Sequence, residues 1–309
     1  MASSGILAAI GNTPLIELQR IRAAGAARIV VKLESANPTG SMKDRVARAM
    51  VERALAAGRL RPGDTVVEYT AGTTGISLAL ICAALGFKAH FVFSDAFSPE
   101  KRQTMRAYGA TITEVASEGG KITERLIKAM IATAAELGLR PGHWYCDQLS
   151  NRDGEAGYHG LGDELWQQSG GRVDAFVQAV GTAHSIHGGA HALRAHNPRL
   201  EVIAVEPAES AVLSGRAAGA HNIDGIGIGF VPPLWRPAEV DEILTVTTAE
   251  AKAMARRLAR EEGIFAGTST GANIVAALAV AQRSGPHATV ATIAVDSGLR
   301  YLSTDLFGT

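Results

Sequence analysis

Cysteine is scarce in this chain, whose 309 residues include only Cys82 and Cys146. The two lie far apart and form no metal-type spacing, which argues against a disulfide scaffold and suits a reducing compartment. A charge of one sign is also lacking, because 30 basic residues balance 30 acidic ones. No broad field draws the chain to nucleic acid or an anionic membrane, so the expected partner is small. No apolar run is long enough to span a bilayer, and Met1 to Ile10 lack the basic region and apolar stretch of a secretion signal. The chain is therefore expected to be cytoplasmic. Repeats and low-complexity linkers are missing too, so nothing in the composition marks a domain boundary.

What is present is ample core material, 47% hydrophobic against 19% charged, in a chain too long for one compact domain. Short β-branched runs at Arg28–Leu33, Thr65–Glu68, Ala89–Ser94, Thr111–Val115, Ala175–Val180, Glu201–Glu206 and Thr289–Val295 read as strands. Helices are expected at Lys43–Ala57, Gly75–Leu85, Pro99–Tyr108, Lys121–Leu137 and Ala249–Glu262. This alternation predicts an α/β fold with parallel strands and crossover helices. Several strands run into Gly-rich or hydroxyl-rich turns and then helix starts, where open α/β sheets bind ligands.

Four such segments carry chemistry. Asn37 to Arg45 sets Lys43 at a helix N-terminus, an unfavourable place for a cation. Neutralisation as an imine would explain it, but by itself the segment reads more readily as an ordinary solvated lysine, since exposed lysines are the rule. Glu68 to Gly75 offers amide and hydroxyl donors to a carboxylate, or is simply a well-capped connection. Gly181-Thr182-Ala183-His184-Ser185 suits a single phosphate, since it has neither a Walker lysine nor the dinucleotide glycine pattern. Asp296-Ser297-Gly298 supplies one uncharged hydroxyl or a plain turn. His184, His187 and His191 share a helical face, yet Gly188-Gly189 interrupts them and no acidic residue sits among them, so no metal is expected.

In this order, the segments resemble the cysteine synthase and cystathionine β-synthase family, fold type II enzymes that use pyridoxal 5'-phosphate. The likeness runs nearly from end to end. It includes Ile10 to Leu15, Asn37 to Arg45, Thr70 to Gly75, Asp147-Gln148-Leu149, Gly181 to Ser185, Gly225 to Phe230, Glu262 to Gly267 and Asp296 to Thr304. The resemblance implies two open twisted-sheet α/β domains of the tryptophan synthase β-subunit-like kind, a smaller one at 41–147 and a larger one at 1–40 and 148–309, with the cofactor in the cleft. Lys43 would be the Schiff-base and catalytic residue. Thr73, Gly181, Thr182, Ala183, His184, Ser185 and Ser297 would hold the cofactor, with Ser297 facing the pyridine nitrogen. Thr70, Ala71, Gly72, Thr74, Gln148 and Gly227 would hold the substrate. A homodimer is implied by resemblance alone.

Two departures from the family pattern bear on specificity. Thr73 stands where the family has an asparagine touching the cofactor's phenolic oxygen, a shorter donor in place of an amide. Ala183 and His184 stand where the phosphate loop has two glycines, which backbone binding tolerates if neither residue needs a positive φ. The implied reaction is β-replacement on O-acetylserine, O-phosphoserine or serine through an aminoacrylate, with sulfide or another nucleophile. Cystathionine β-synthase or a serine/threonine dehydratase-type β-elimination is the alternative within the class; an allosteric dehydratase is not expected, for want of a regulatory domain after Thr304, and nothing in the sequence separates cystathionine β-synthase cleanly. A non-catalytic binding protein of the same fold is the alternative outside it, and Lys43 in an intact motif speaks against that.

Overall fold

The computed structural model describes residues 5–120 and 123–308. Positions 1–4 of the amino-terminal reading, and Lys121 with Ile122 of the expected helix Lys121–Leu137, lie outside the described residues. In chain order the first elements are β1 (Leu15–Glu17), β2 (Arg28–Leu33), α1 (Lys43–Ala56), β3 (Thr65–Tyr69), α2 (Thr73–Leu85), β4 (Lys88–Ser94) and α3 (Pro99–Ala107). Then come β5 (Thr111–Val115), α4 (Glu124–Gly138), β6 (His143–Tyr145), α5 (His159–Gln168), β7 (Ala175–Ala179) and α6 (His184–His196). The chain closes with β8 (Glu201–Pro207), β9 (Glu242–Val246), α7 (Thr248–Arg257), α8 (Thr268–Ser284) and β10 (Thr289–Ala294).

Two compact units result, one of Met1–Ile10 with Lys43–Gly157 and one of Gly11–Met42 with Tyr158–Thr309. The smaller unit holds four parallel strands in the order β5-β4-β3-β6. Consecutive residues of β3 are buried, Val66 to Tyr69, so helices cover both faces of its sheet. The larger unit holds six strands in the order β1-β2-β10-β7-β8-β9, parallel except for β1. Its central strands β7 and β10 are buried along their whole length.

The order of the larger sheet turns back at one place. From β7 the chain steps outward to β8 and β9, and α7 and α8 then return it to β10 on the other side of β7. Such reversals open a crevice at the carboxyl ends of the strands. Here β7 and β10 pair only at Val290–Ala175 and Ala291–Phe176. Further along, Thr292 Oγ1 donates to Val177 O at 2.8 Å in place of a ladder bond.

The helices α5 and α6 go beyond what periodicity suggested. Gly188 and Gly189, read as an interruption, lie inside α6. A Cβ on Gly162 of α5 would run into Gly189 O, and one on Gly189 would press on the Phe176 ring. Packing this close offsets the low helix propensity of glycine.

The expected helix Ala249–Glu262 is α7 followed by a π-helical turn, Leu258–Glu262, that ends at Gly263 with φ 71. The Glu262 carboxylate accepts the backbone N–H groups of Gln19 (3.1 Å), Arg20 (2.6 Å) and Ile21 (2.9 Å). Partial burial works against its charged form, but the three donors outweigh that and hold the carboxyl below its usual value. A depressed carboxyl stabilises the fold above its unfolded pKa and loses that effect as pH falls through its folded pKa. We therefore expect Glu262→Gln to destabilise the protein by about 1 kcal/mol at neutral pH, after allowance for solvent screening. Thermal unfolding across pH checks this, and the gap from wild type should close in acid.

Candidate active site

Lys43 opens α1 and is partly covered. Burial lowers its ammonium to about 8, while the Glu68 carboxylate pulls it upward. An amine poised there has an appreciable neutral fraction near neutral pH, as a nucleophile or proton acceptor requires. The next residue, Asp44, accepts a 2.6 Å bond from Ser77 Oγ, which fastens the start of α1 to α2.

The chain leaves β3 at Thr70, whose Oγ1 accepts from the N–H groups of Gly72 (2.9 Å) and Gly75 (3.0 Å). The turn passes Ala71 and puts Gly72 at φ 126, where a Cβ would also run into the Lys101 side chain. This internal bonding starts α2 at Thr73, two residues earlier than expected. Thr74 Oγ1 donates to Gln148 Oε1 at 2.8 Å, and Gln148 Nε2 donates to Tyr69 O at 3.0 Å. Gln148 reaches the loop because β6 lies beside β3. Its amide keeps one N–H after these contacts. Thr70 and Thr74 thus shape the loop, whereas the Thr73 hydroxyl has no hydrogen-bond partner among the described residues.

Glu68 was not singled out as a site residue. It is fully buried, and its two carboxylate oxygens accept from Tyr69 N (3.0 Å) and Gln148 N (2.9 Å). Burial pushes its carboxyl well up, with the two backbone donors opposing. A carboxylate inside a strand buried on both faces was the available sequence signal.

In the larger unit, β7 runs into Gly181 to Ser185. Among the described residues the backbone N–H groups of Gly181, Thr182 and Ala183 donate to no protein acceptor. The first turn of α6 follows at once. A Cβ on Gly181 would run into Gly225 O, and Gly227 N donates to Val180 O at 3.2 Å, so the loop carrying Gly227 lies against this turn. His184 Nδ1 and Thr182 Oγ1 are 2.8 Å apart.

The other two histidines of the triplet go elsewhere. His187 faces Glu239 and accepts from Arg236 N, and His191 stacks on His159 at 4.8 Å. Among the described residues no group of three metal-type ligands is close enough to hold an ion.

Ser297 follows β10, the neighbour of β7, and so leaves the same carboxyl edge of the sheet as Gly181. Its N–H donates to Gly40 O at 2.9 Å, and its Oγ accepts from Leu299 N at 3.3 Å. The hydroxyl can still donate its own proton.

One condition set by the sequence is not met. Ala183 has φ 70, the left-handed region, although backbone binding in this turn was expected without a positive φ. The entry into α6 demands that conformation, and the alanine Cβ pays a steric penalty for it.

These are strand-end sites of two α/β units, and the family match places the chain in a class of cofactor-dependent enzymes. A family model described as pyridoxal-phosphate dependent enzyme matches residues 6–296, and the chain belongs to that family. Its cofactor is pyridoxal phosphate. It is 42% identical over 300 residues to a cysteine synthase of Staphylococcus aureus (strain Mu50), an alignment covering 96% of this chain and 95% of the relative. Its structure is similar to that of cysteine synthase from Entamoeba histolytica, with a TM-score of 0.92, 38% identity, and coverage of 100% of this chain and 93% of the other. The O-acetylserine dependent cystathionine β-synthase of Helicobacter pylori gives a TM-score of 0.91 at 34% identity, with full coverage of both chains.

Replacing Ala183 by glycine should relieve the left-handed strain and raise the stability of the cofactor-free protein by up to about 1 kcal/mol, the greater freedom of glycine in the unfolded chain offsetting part of the gain. Chemical denaturation of both proteins without cofactor measures it.

Proposed function

We propose that this chain catalyses β-replacement on a β-substituted L-amino acid, in the manner of a cysteine synthase, with sulfide or a comparable nucleophile. The observation that carries the reading is Lys43, its ammonium lowered to about 8 by burial, in the same unit as a strand-end turn whose Thr73 hydroxyl has no hydrogen-bond partner among the described residues. The similarity to cysteine synthases over nearly the whole chain supports it.

The residues fit pyridoxal phosphate chemically. The turn Gly181 to Ser185 offers neutral N–H and hydroxyl donors with no competing carboxylate, the set that a phosphate ester needs. Ser297 would meet the ring nitrogen with a neutral hydroxyl, and Thr73 would reach toward the phenolic oxygen. Bound pyridoxal phosphate supplies the electron sink that makes the Cα hydrogen acidic.

Lys43 would hold the cofactor aldehyde and, once displaced by the substrate amine, take the Cα proton on Nζ. After a nucleophile has replaced the leaving group at Cβ, Nζ would return the proton to Cα and recapture the cofactor aldehyde, releasing the product amine. Thr70, Ala71, Gly72, Thr74, Gln148 and Gly227 would orient the substrate, the N–H donors of the loop holding its carboxylate. We further infer a homodimer, following the family resemblance, and a cytoplasmic site of action.

A spectrum of the purified protein with pyridoxal phosphate, before and after O-acetyl-L-serine, O-phospho-L-serine and L-serine, each followed by sulfide, tests the reading. One donor should shift the visible band, and sulfide should restore it with release of cysteine. Release of pyruvate in place of a sulfide-dependent product would assign a dehydratase. Lys43→Ala should abolish both the lysine-bound band and turnover, and full turnover without it would sink the proposal. Restoring asparagine at Thr73 should raise cysteine synthase activity with O-acetylserine, and unchanged kinetics would show that this hydroxyl does not direct specificity.

A further inference from the structure

Behind the turn Gly181 to Ser185 lies a chain of buried amides that the sequence reading did not single out. Asn273 on α8 and Gln178 on β7 are both fully buried. Asn273 faces two backbone groups whose roles cannot change. The Ala179 N–H lies 2.8 Å from Oδ1 and the Ile293 carbonyl oxygen 2.9 Å from Nδ2. An N–H only donates and a carbonyl only accepts, so the orientation of the Asn273 amide is dictated by the backbone.

The consequence passes outward one bond at a time. The second Nδ2 proton of Asn273 points at Gln178, so the Gln178 atom facing it at 3.0 Å must be the acceptor Oε1. Gln178 Nε2 is thereby turned to Ser185 Oγ, also at 3.0 Å, and its other proton faces Met42 Sδ at 3.8 Å. Ser185 must then accept from Gln178. Its own hydroxyl proton is left to point away from Gln178, and no protein acceptor for it exists among the described residues.

We propose that Asn273 and Gln178 are positioning residues that commit the Ser185 hydroxyl to donate to the phosphate of the cofactor. A serine with a free rotor would spend part of its time donating inward and presenting a lone pair to the anion. This serine cannot, because the inward partner is already a donor. The proposal rests on the reading of Gly181 to Ser185 as the phosphate site and adds how one of its donors is held ready before the anion arrives.

The test is equilibrium binding of pyridoxal phosphate, and separately of pyridoxal, which lacks the phosphate, to the cofactor-free protein, with phosphorus NMR of the bound ester. Gln178→Met keeps the length and removes the amide. It should weaken pyridoxal phosphate about threefold, because the serine can still donate but its three-well rotor is no longer held ready. It should also move the phosphorus resonance and leave pyridoxal binding unchanged. Ser185→Ala removes the hydrogen bond itself and should weaken pyridoxal phosphate about tenfold, the usual effect of one hydrogen bond to a charged group, and Q178M added to S185A should change little more.

If S185A weakens binding and Q178M does not, the phosphate reading stands and the relay is overturned. Equal weakening of pyridoxal and its phosphate by Q178M also overturns it, as general damage to the unit. If S185A leaves both the affinity and the resonance unchanged, the phosphate reading itself fails, and the relay with it. Should Q178M not fold, Gln178→Leu decides: it removes the same donor and should weaken pyridoxal phosphate to the same extent while leaving pyridoxal unchanged, whereas wild-type affinity for both would refute the relay.

Discussion

The amide of Asn273, set between the Ala179 N–H and the Ile293 carbonyl, spans the place where β7 and β10 part. On that junction the larger unit depends. The two parallel strands share only two register pairs before they diverge, and each buried backbone group left unbonded in the gap would cost about 1–3 kcal/mol. Asn273 and Thr292 satisfy those groups with side chains where ladder bonds end. The strands can therefore separate at their carboxyl ends without orphaned donors, and those ends carry Gly181 to Ser185 and Ser297.

The smaller unit uses the same device with different residues. β3 ends in a turn of N–H and hydroxyl groups ahead of a helix, and a buried polar side chain stands behind it, here Glu68 bonded to Tyr69 N and Gln148 N. In both units the outer surface of the turn offers donors to an anion, while the inner surface is closed off by a polar group with its own bonds already made. The helix dipole adds to the attraction at each site. Lys43 is the exception in this scheme of neutral donors, and burial brings it toward neutrality as well.

β2 and β5 were legible to the residue in advance, because β-branched runs stand out from the Ala-rich segments around them, whereas the long helix α8 was not expected. The three-residue strands β1 and β6 are too short to alternate visibly, and α6 contains two glycines that no propensity scale would place mid-helix. Its glycines become intelligible only beside α5. The segments Gly181 to Ser185 and Thr70 to Gly75 stood out because strand, small-residue turn and helix start are consecutive in sequence. Glu68, Gln178 and Asn273 did not stand out as parts of a site, since a lone polar residue in an apolar run has no partner until the chain folds.

The sequence by itself determined the α/β class, the family resemblance and the candidate chemistry of Lys43, all of which rest on residues close together in the chain or on the order of motifs along it. Only the tertiary structure decided which hydroxyls are free to act. Thr70, Thr74 and Ser185 read alike as donors in the sequence, yet Thr70 is an internal acceptor, Thr74 donates to Gln148 and Ser185 accepts from Gln178. It also decided that Ala183 adopts a left-handed conformation. The physical reason is that a hydrogen-bond role or a backbone angle is set by whichever donor, acceptor or neighbour folding brings into contact, near in the chain as Gln178 is to Ser185 or distant as Gln148 is to Thr74.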